Sequence, residues 1–292
     1  MDCMMPVWIM GLLLAAPPAT AAAPTPHQQG VELYHQQKYS DAITALQIAA
    51  ASEKPGSPEY RESTLLIGQS YFMLAKAPEA IPWLEKAGAS NEAYYMLGYA
   101  YLQAHRQQDS QAAFARLFNL QPGTAPAHLL AAQMMLKKDY YDEALAELKQ
   151  AIALDPKLPQ AHFVNAEILI GHGQIDLGIA ELNKELAISP DSAMAWYRLG
   201  DAYSRQHNWE QAIPNLQRAI WLNPDYSGPY ILLGKCYFNT HNYSNAEGIL
   251  RRALTLDPRN YAATYLLGRT LAGEGKQDEA KTVLDRLKTL PQ

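Results

Sequence analysis

Apolar positions follow a helical period through the second half of the chain. Trp196, Leu199 and Tyr203 succeed one another at intervals of three and four residues, which places them on one face of a first helix. A polar run at 206–208 predicts a turn, after which apolar positions return at the same spacing in a second helix. Pro224 ends that second helix, because proline cannot continue a helical hydrogen-bond ladder.

The same helix-turn-helix pattern recurs at a constant interval along the chain. Prolines mark the interval at Pro122, Pro156, Pro190, Pro224 and Pro258. Gly200, Gly234 and Gly268 keep the same spacing, and such small residues are expected to let paired helices approach closely. Self-similarity at a period of about 34 residues is typical of a solenoid of stacked helical units.

Two intervals depart from the period and compensate each other. The interval from Gly30 to Gly68 is four positions longer than the period, whereas the interval from Gly68 to Gly98 is four positions shorter. These intervals predict a longer loop at 55–60 and a tight helix junction at 88–92.

One acidic residue also departs from the repeat pattern. Glu185 occupies a position that alanine fills in other repeats, at Ala151, Ala219 and Ala253. A buried carboxylate at this position would need a hydrogen-bonding partner. Because unpaired buried carboxylates are rare, the expectation is a rotated helix that exposes Glu185 to solvent.

The pattern resembles the tetratricopeptide repeat, whose consensus is W-x2-L-G-x2-Y followed by A-x3-F and P. Residues 194–224 match it, with leucine in place of the consensus phenylalanine, at Trp196, Leu199, Gly200, Tyr203, Ala212, Leu216 and Pro224. The resemblance implies an all-α fold, a right-handed superhelical solenoid of about eight repeats over residues 24–292. It also implies a concave groove, lined by the first helices, that binds a partner peptide or protein segment.

The composition is that of a folded protein with a mildly acidic balance. The 292 residues are 48% hydrophobic and 18% charged, with a formal net charge of -5. This charge argues against a nucleic-acid partner, because binding to phosphates requires a cationic surface. Cys3 and Cys236 are the two cysteines of the sequence, too few for a disulfide framework or a cysteine metal cluster.

The N-terminal segment has the pattern of a secretory signal. Residues 4–16 are apolar, a run shorter than the roughly 20 residues of a membrane-spanning helix, and Ala21 to Ala23 offer small-residue cleavage sites. Because no basic residue precedes the apolar run, an uncleaved anchor and a misassigned start are alternatives. We expect a signal peptide at residues 1–23 and export to the periplasm or the exterior, without stable membrane insertion after cleavage.

The sequence contains no motif for catalysis or cofactor binding. A glycine-rich phosphate loop, H-E-x-x-H, G-x-S-x-G and C-x-x-C are all missing. Four of the eight histidines fall in predicted turns between paired helices: His105, His172, His207 and His241. Neighbouring repeats hold these side chains too far apart to share one metal ion, so we expect them at the last carbonyls of the first helices. The sequence predicts no enzyme, no cofactor and no metal site.

The candidate binding residues are those that the repeat register places on the concave face. Aromatic side chains supply contact area, and basic ones attract an acidic or carboxylate-bearing partner. The predicted partner-binding residues are Tyr95, Tyr99, Phe163, Tyr197, Arg198, Arg205, Lys235, Phe238, Tyr265 and Arg269. Two alternatives stay open, namely that the aromatic residues pack between repeats and that the charges form an ordinary solvated mixture.

The sequence therefore predicts a non-catalytic scaffold that binds a protein partner. The alternative is a structural subunit that self-associates through the ends of the solenoid. Val283, Leu287 and Leu290 favour this alternative, because they lie where a further repeat would stack and no polar cap follows them.

The intact mass of the protein isolated from its source tests the export prediction. Cleavage near Ala21 to Ala23 removes the apolar run, so the mature chain is expected to lack it. Cells treated with a signal-peptidase inhibitor supply the control and should keep the full-length mass. A mature protein that retains residues 4–16 would contradict export by a cleaved signal.

Overall fold

Sixteen α-helices run through residues 23–290, the part of the chain that the computed structural model describes. The first of two units ends at Ala89 and contains α1 (Pro26–His35), α2 (Tyr39–Ser52), α3 (Pro58–Met73) and α4 (Ala77–Lys86). The second unit begins at Ser90 and contains α5 (Asn91–Gln103), α6 (Gln107–Leu117), α7 (Ala125–Leu136), α8 (Tyr141–Leu154), α9 (Ala161–Gly171), α10 (Ile175–Ile188), α11 (Ala193–Arg205), α12 (Trp209–Leu222), α13 (Ser227–Asn239), α14 (Tyr243–Leu256), α15 (Tyr261–Gly273), α16 (Gln277–Asp285) and a 3-10 turn, η1 (Arg286–Thr289). Residues 1–22, which hold nearly all of the predicted signal peptide, lie outside this description.

The helices form eight consecutive pairs, and this confirms the all-helical repeat fold. Within each pair the first helix packs against the second, and within each unit the second helix packs against the first helix of the next pair. Among residues 23–290 no β-strand forms. No helix in this range is long and apolar enough to cross a bilayer.

A single close contact recurs inside the helix pairs. In every repeat a glycine or alanine of the first helix is followed sixteen residues later by a leucine or phenylalanine of the second. A Cβ atom added at Gly200 would lie 2.6 Å from Cγ of Leu216, and one at Gly234 would lie 2.5 Å from Cγ of Leu250. Because real Cβ atoms do not approach other atoms so closely, glycine sets the distance between these paired helices.

The turns between paired helices share one backbone conformation. The residue after the first helix has a left-handed backbone, with φ of 55° at His105, 57° at His207 and 59° at His241. Their amides close the helix end, as when His241 N donates to Phe238 O at 3.1 Å. The expected side-chain contacts with helix carbonyls are wrong for His207 and His241, which pack instead on Trp209 and Tyr243, the aromatic residues that start the second helices.

The break in the period is absorbed by helix lengths more than by loops. Helix α3 has 16 residues, whereas α11, α13 and α15 have 13 each. Ser57 caps α3 by accepting from Tyr60 N at 3.2 Å, and Pro58 starts it, so most of the insertion becomes helix and the predicted longer loop shrinks to 53–57. The compensating deletion shortens α4 to 10 residues.

Glu185 is buried, so the expectation of an exposed side chain is wrong. Its side chain reaches the start of α9, where Oε1 accepts from Gln160 N at 2.9 Å and Oε2 accepts from Phe163 N at 3.3 Å. Gln160 precedes α9 with a left-handed backbone and makes no side-chain cap of its own. The carboxylate of Glu185 therefore satisfies amides that the first turn of α9 leaves without helical partners.

Replacing Glu185 with alanine is expected to destabilise the protein by about 1–3 kcal/mol, because two buried amides lose their acceptor. Urea denaturation followed by circular dichroism measures the change in the free energy of unfolding. Asn183→Ala is the matched control, because Asn183 is exposed on the same helix. Equal stabilities of the two variants would show that the Glu185 cap contributes nothing.

Candidate partner-binding face

The first helices of the last three repeats form a continuous face in the second unit. Helix α13 contacts both α11 and α15, the first helices of the neighbouring repeats. The second helices α12 and α14 instead pack between successive first helices. Because the first helices come together on one side, their outward residues line the narrower side of this part of the stack.

Three of the predicted side chains meet on this face at α13 and α15. The guanidinium carbon of Arg269 lies 4.9 Å from the ring centre of Phe238 and 5.8 Å from that of Tyr265. Tyr265 is 42% exposed, and Phe238 is half-buried against the core of the last repeats. The arrangement presents an apolar ring beside a cation that faces solvent.

Lys235 adds a second cation to the same face. It lies on α13 one turn before Phe238 and one repeat before Arg269. Among residues 23–290 neither Lys235 nor Arg269 has a carboxylate within 4.0 Å, whereas the other two predicted cations do. These two positive charges are therefore available to an anionic group of a partner.

Arg198 and Arg205 are already paired with acids of the same protein. Arg198 Nη2 lies 2.9 Å from Glu167 Oε2, and Arg205 Nη2 lies 2.9 Å from Asp201 Oδ2. Burial raises the pKa of Glu167, although the nearby Arg198 guanidinium opposes this shift. The predicted group of four attracting cations is thus reduced to two by internal ion pairs.

Tyr197 packs against an aromatic residue that the sequence prediction missed. The rings of Tyr197 and Tyr226 meet edge to face with centres 5.4 Å apart. Burial, followed by the proximity of the Tyr226 hydroxyl, raises the pKa of Tyr197 to about 12. Tyr226 lies in the connection before α13, outside the helical register that selected the other candidates, so its signal was only its position after Asn223-Pro224.

The candidates in the middle repeats are mainly packing residues. Tyr99 is 3% exposed, and its hydroxyl donates to the carbonyl of Met134 at 2.9 Å, so its assignment to the binding face is wrong. Its neighbour Tyr95 is exposed but leans edge to face on Tyr99, with ring centres 5.0 Å apart. Phe163 is half-buried against the core around Leu182. The alternative of packing between repeats holds for Tyr99 and for most of the Phe163 ring.

A pair of histidines takes the place of the consensus aromatic residue in two repeats. His128 and His162 stand two periods and one period before Trp196, and each has Nδ1 2.6 Å from a glutamate of the following helix, Glu147 or Glu181. His162 Nε2 lies 3.2 Å from the Pro156 carbonyl, as Trp196 Nε1 lies 2.9 Å from that of Pro190. His162 therefore reproduces a structural contact of the consensus residue.

The described residues contain no cluster suited to a metal. Within residues 23–290 no three His, Cys, Asp or Glu side chains come together as a metal site would require. Burial raises the pKa of the Cys236 thiol to about 11, which keeps it protonated and unreactive near neutral pH.

Comparison with known families now identifies the repeat. Sequence models of the tetratricopeptide repeat match residues 27–94, 95–159, 136–193, 193–226 and 240–289. These matches span most of the chain, which therefore belongs to the tetratricopeptide repeat family. Members of this family are typically non-catalytic protein-interaction modules.

Solved structures of other tetratricopeptide repeat proteins share the fold. MamA from Desulfovibrio magneticus RS-1 is 22% identical, with a TM-score of 0.54, and the match covers 57% of this chain and 94% of that one. YrrB, a TPR protein with an unusual peptide-binding site, is 21% identical, with a TM-score of 0.54 and coverage of 61% and 91%. Pseudomonas aeruginosa PilF is 17% identical, with a TM-score of 0.55 and coverage of 68% and 90%. At these identities the likeness shows the fold alone.

Proposed function

We propose that this protein is a non-catalytic scaffold that binds an extended segment of a partner protein across α11, α13 and α15. The observation that carries the proposal is the cluster of Phe238, Arg269 and Tyr265 beside Lys235. It combines exposed aromatic area with two cations that have no internal carboxylate partner. Aromatic and arginine side chains are the residues that most often dominate binding energy at interfaces.

The chemistry of the face favours a partner segment with an acidic side chain next to an apolar one. The carboxylate would pair with Lys235 and Arg269, and the apolar group would cover the Phe238 and Tyr265 rings. Charge on the rim of such a site mainly accelerates association, whereas buried aromatic anchors mainly slow dissociation. YrrB, which shares the fold and has a peptide-binding site, supports the general mode of binding.

Self-association through the C-terminal end has less surface to use than the sequence suggests. Val283 packs against the core of the last repeat, and Leu287 and Leu290 are half-buried. The turn η1 follows α16 and contacts α15, so it covers part of the face where a further repeat would stack.

We also propose that binding takes place outside the cytoplasm. The support is the sequence alone, namely the apolar run at 4–16 and the small-residue sites at 21–23. An exported scaffold needs no cofactor, and its single buried thiol at Cys236 is compatible with an oxidising compartment.

Peptide selection followed by surface plasmon resonance tests the binding proposal. Random peptides displayed on phage are selected against the chain without residues 1–23, and the selected peptides are expected to carry Asp or Glu beside an apolar residue. Tyr265→Ala should weaken their binding by about 2 kcal/mol through faster dissociation, if Tyr265 is a hot spot. Lys235→Gln should slow association, and added salt should reduce its effect.

Two variants on second helices supply matched controls. Trp221→Ala removes an exposed aromatic ring of α12, and Arg218→Gln removes an exposed cation of the same helix. Both should bind the selected peptides like the unmodified protein. Wild-type binding by Tyr265→Ala and Lys235→Gln, at low and high salt, would place the peptide site elsewhere and contradict the proposal.

A further inference from the structure

A row of exposed cations follows the second helices of the last four repeats, and its last member begins η1. Successive members are one repeat period apart: Lys184, Arg218, Arg252 and Arg286. Three of them lie two positions after the buried leucines Leu182, Leu216 and Leu250. Two residues correspond to a rotation of about 200° around a helix, so these side chains point away from the core. We call these four residues the outer basic row.

The three arginines of the outer basic row have no acidic residue three or four positions away along the chain. The residues at those positions are Pro214, Asn215, Trp221, Leu222, Gly248, Ile249, Thr255, Leu256, Thr282, Val283, Thr289 and Leu290. The chain has 29 acidic and 24 basic residues, so such acid-free surroundings at three successive repeats are not what its composition predicts.

These three arginines also keep an uncompensated charge in the folded chain. Among residues 23–290, Arg218, Arg252 and Arg286 have no carboxylate within 4.0 Å, whereas Lys184 Nζ lies 2.7 Å from Glu181 Oε1. The Arg218 guanidinium carbon lies 4.2 Å from the ring centre of Trp221. That indole is 70% exposed, the largest exposure among the large apolar side chains of the described residues.

We propose that the outer basic row docks the protein on a bilayer surface rich in anionic phospholipids. Guanidinium groups match the geometry of phosphate oxygens, and evenly spaced cations on an outward ridge can meet many headgroups together. Trp221 favours a bilayer over an acidic protein or duplex nucleic acid, because an indole beside the row can enter the headgroup region. This proposal goes beyond peptide binding, since it uses the second helices and not the face formed by α11, α13 and α15.

Vesicle sedimentation with the chain lacking residues 1–23 tests the proposal, and this form excludes any effect of the apolar run at 4–16. The protein should bind vesicles of mixed phosphatidylcholine and phosphatidylglycerol at low salt, and not vesicles of phosphatidylcholine alone. Each cation near an anionic surface contributes about fivefold in partitioning, so the triple variant Arg218→Gln, Arg252→Gln, Arg286→Gln should lose about 100-fold. Trp221→Phe should abolish the fluorescence quenching that nitroxide-labelled lipids cause in the unmodified protein.

The matched control is the triple variant Arg198→Gln, Arg205→Gln, Arg269→Gln, which removes the same net charge from first helices. It should bind mixed vesicles within a few-fold of the unmodified protein, because the cations of the row remain. Circular dichroism checks folding, and the single variant Arg252→Gln, with an expected loss of about fivefold, replaces the triple one if that fails to fold.

Three outcomes would overturn the bilayer proposal: equal losses in the two triple variants, equal binding to both kinds of vesicle, and row-dependent binding to polyaspartate or duplex DNA without binding to mixed vesicles. Selected-peptide binding by the outer-row variants separates this proposal from the proposed function, because those variants should keep it.

Discussion

The separation between the two helices of each pair is the constraint on which the rest of the structure depends. It is set where a small residue of the first helix meets a large apolar residue of the second, as at Gly200 with Leu216 and Gly234 with Leu250. Burial of each such leucine removes apolar surface from water and fixes the rotation of both helices about their axes. The constant repeat period of the sequence encodes this contact once in every helix pair.

Once both rotations are fixed, each helix pair has an inner and an outer face with separate chemistry. First helices carry Lys235, Phe238, Tyr265 and Arg269 toward the side where α11, α13 and α15 contact one another. Second helices carry the outer basic row away from the core. One packing rule thus allows two interaction surfaces whose residues vary independently of stability, as is usual for repeat proteins.

The sequence predicted the helix pairs well because their signal is periodic and local. It failed where a contact joins residues that the period does not relate. Glu185 looked exposed, since nothing in its own helix reveals that the start of α9 needs an acceptor. Tyr99 looked like a groove residue, since its register is right, but its hydroxyl has a buried acceptor in the next repeat at Met134.

The candidate binding site shows the same division. Register alone identified Lys235, Phe238, Tyr265 and Arg269 as neighbours, and the structure brings three of them together around Arg269. Register could not reveal which cations are already neutralised, because Arg198 pairs with Glu167 on a different helix. The side-chain geometry therefore moves the expected anion site toward α13 and α15.

The most direct measurement of the packing constraint compares two glycine substitutions in one repeat by urea denaturation. A Cβ at Gly234 would lie 2.5 Å from Cγ of Leu250, whereas one at Gly248, inside α14, would meet nothing within 4 Å. Gly248→Ala should stabilise the protein by about 0.5–1 kcal/mol through helix propensity. Gly234→Ala should destabilise it, by about 1–3 kcal/mol, through overpacking. Equal stabilisation by both substitutions would contradict the claim that close helix contact determines this fold.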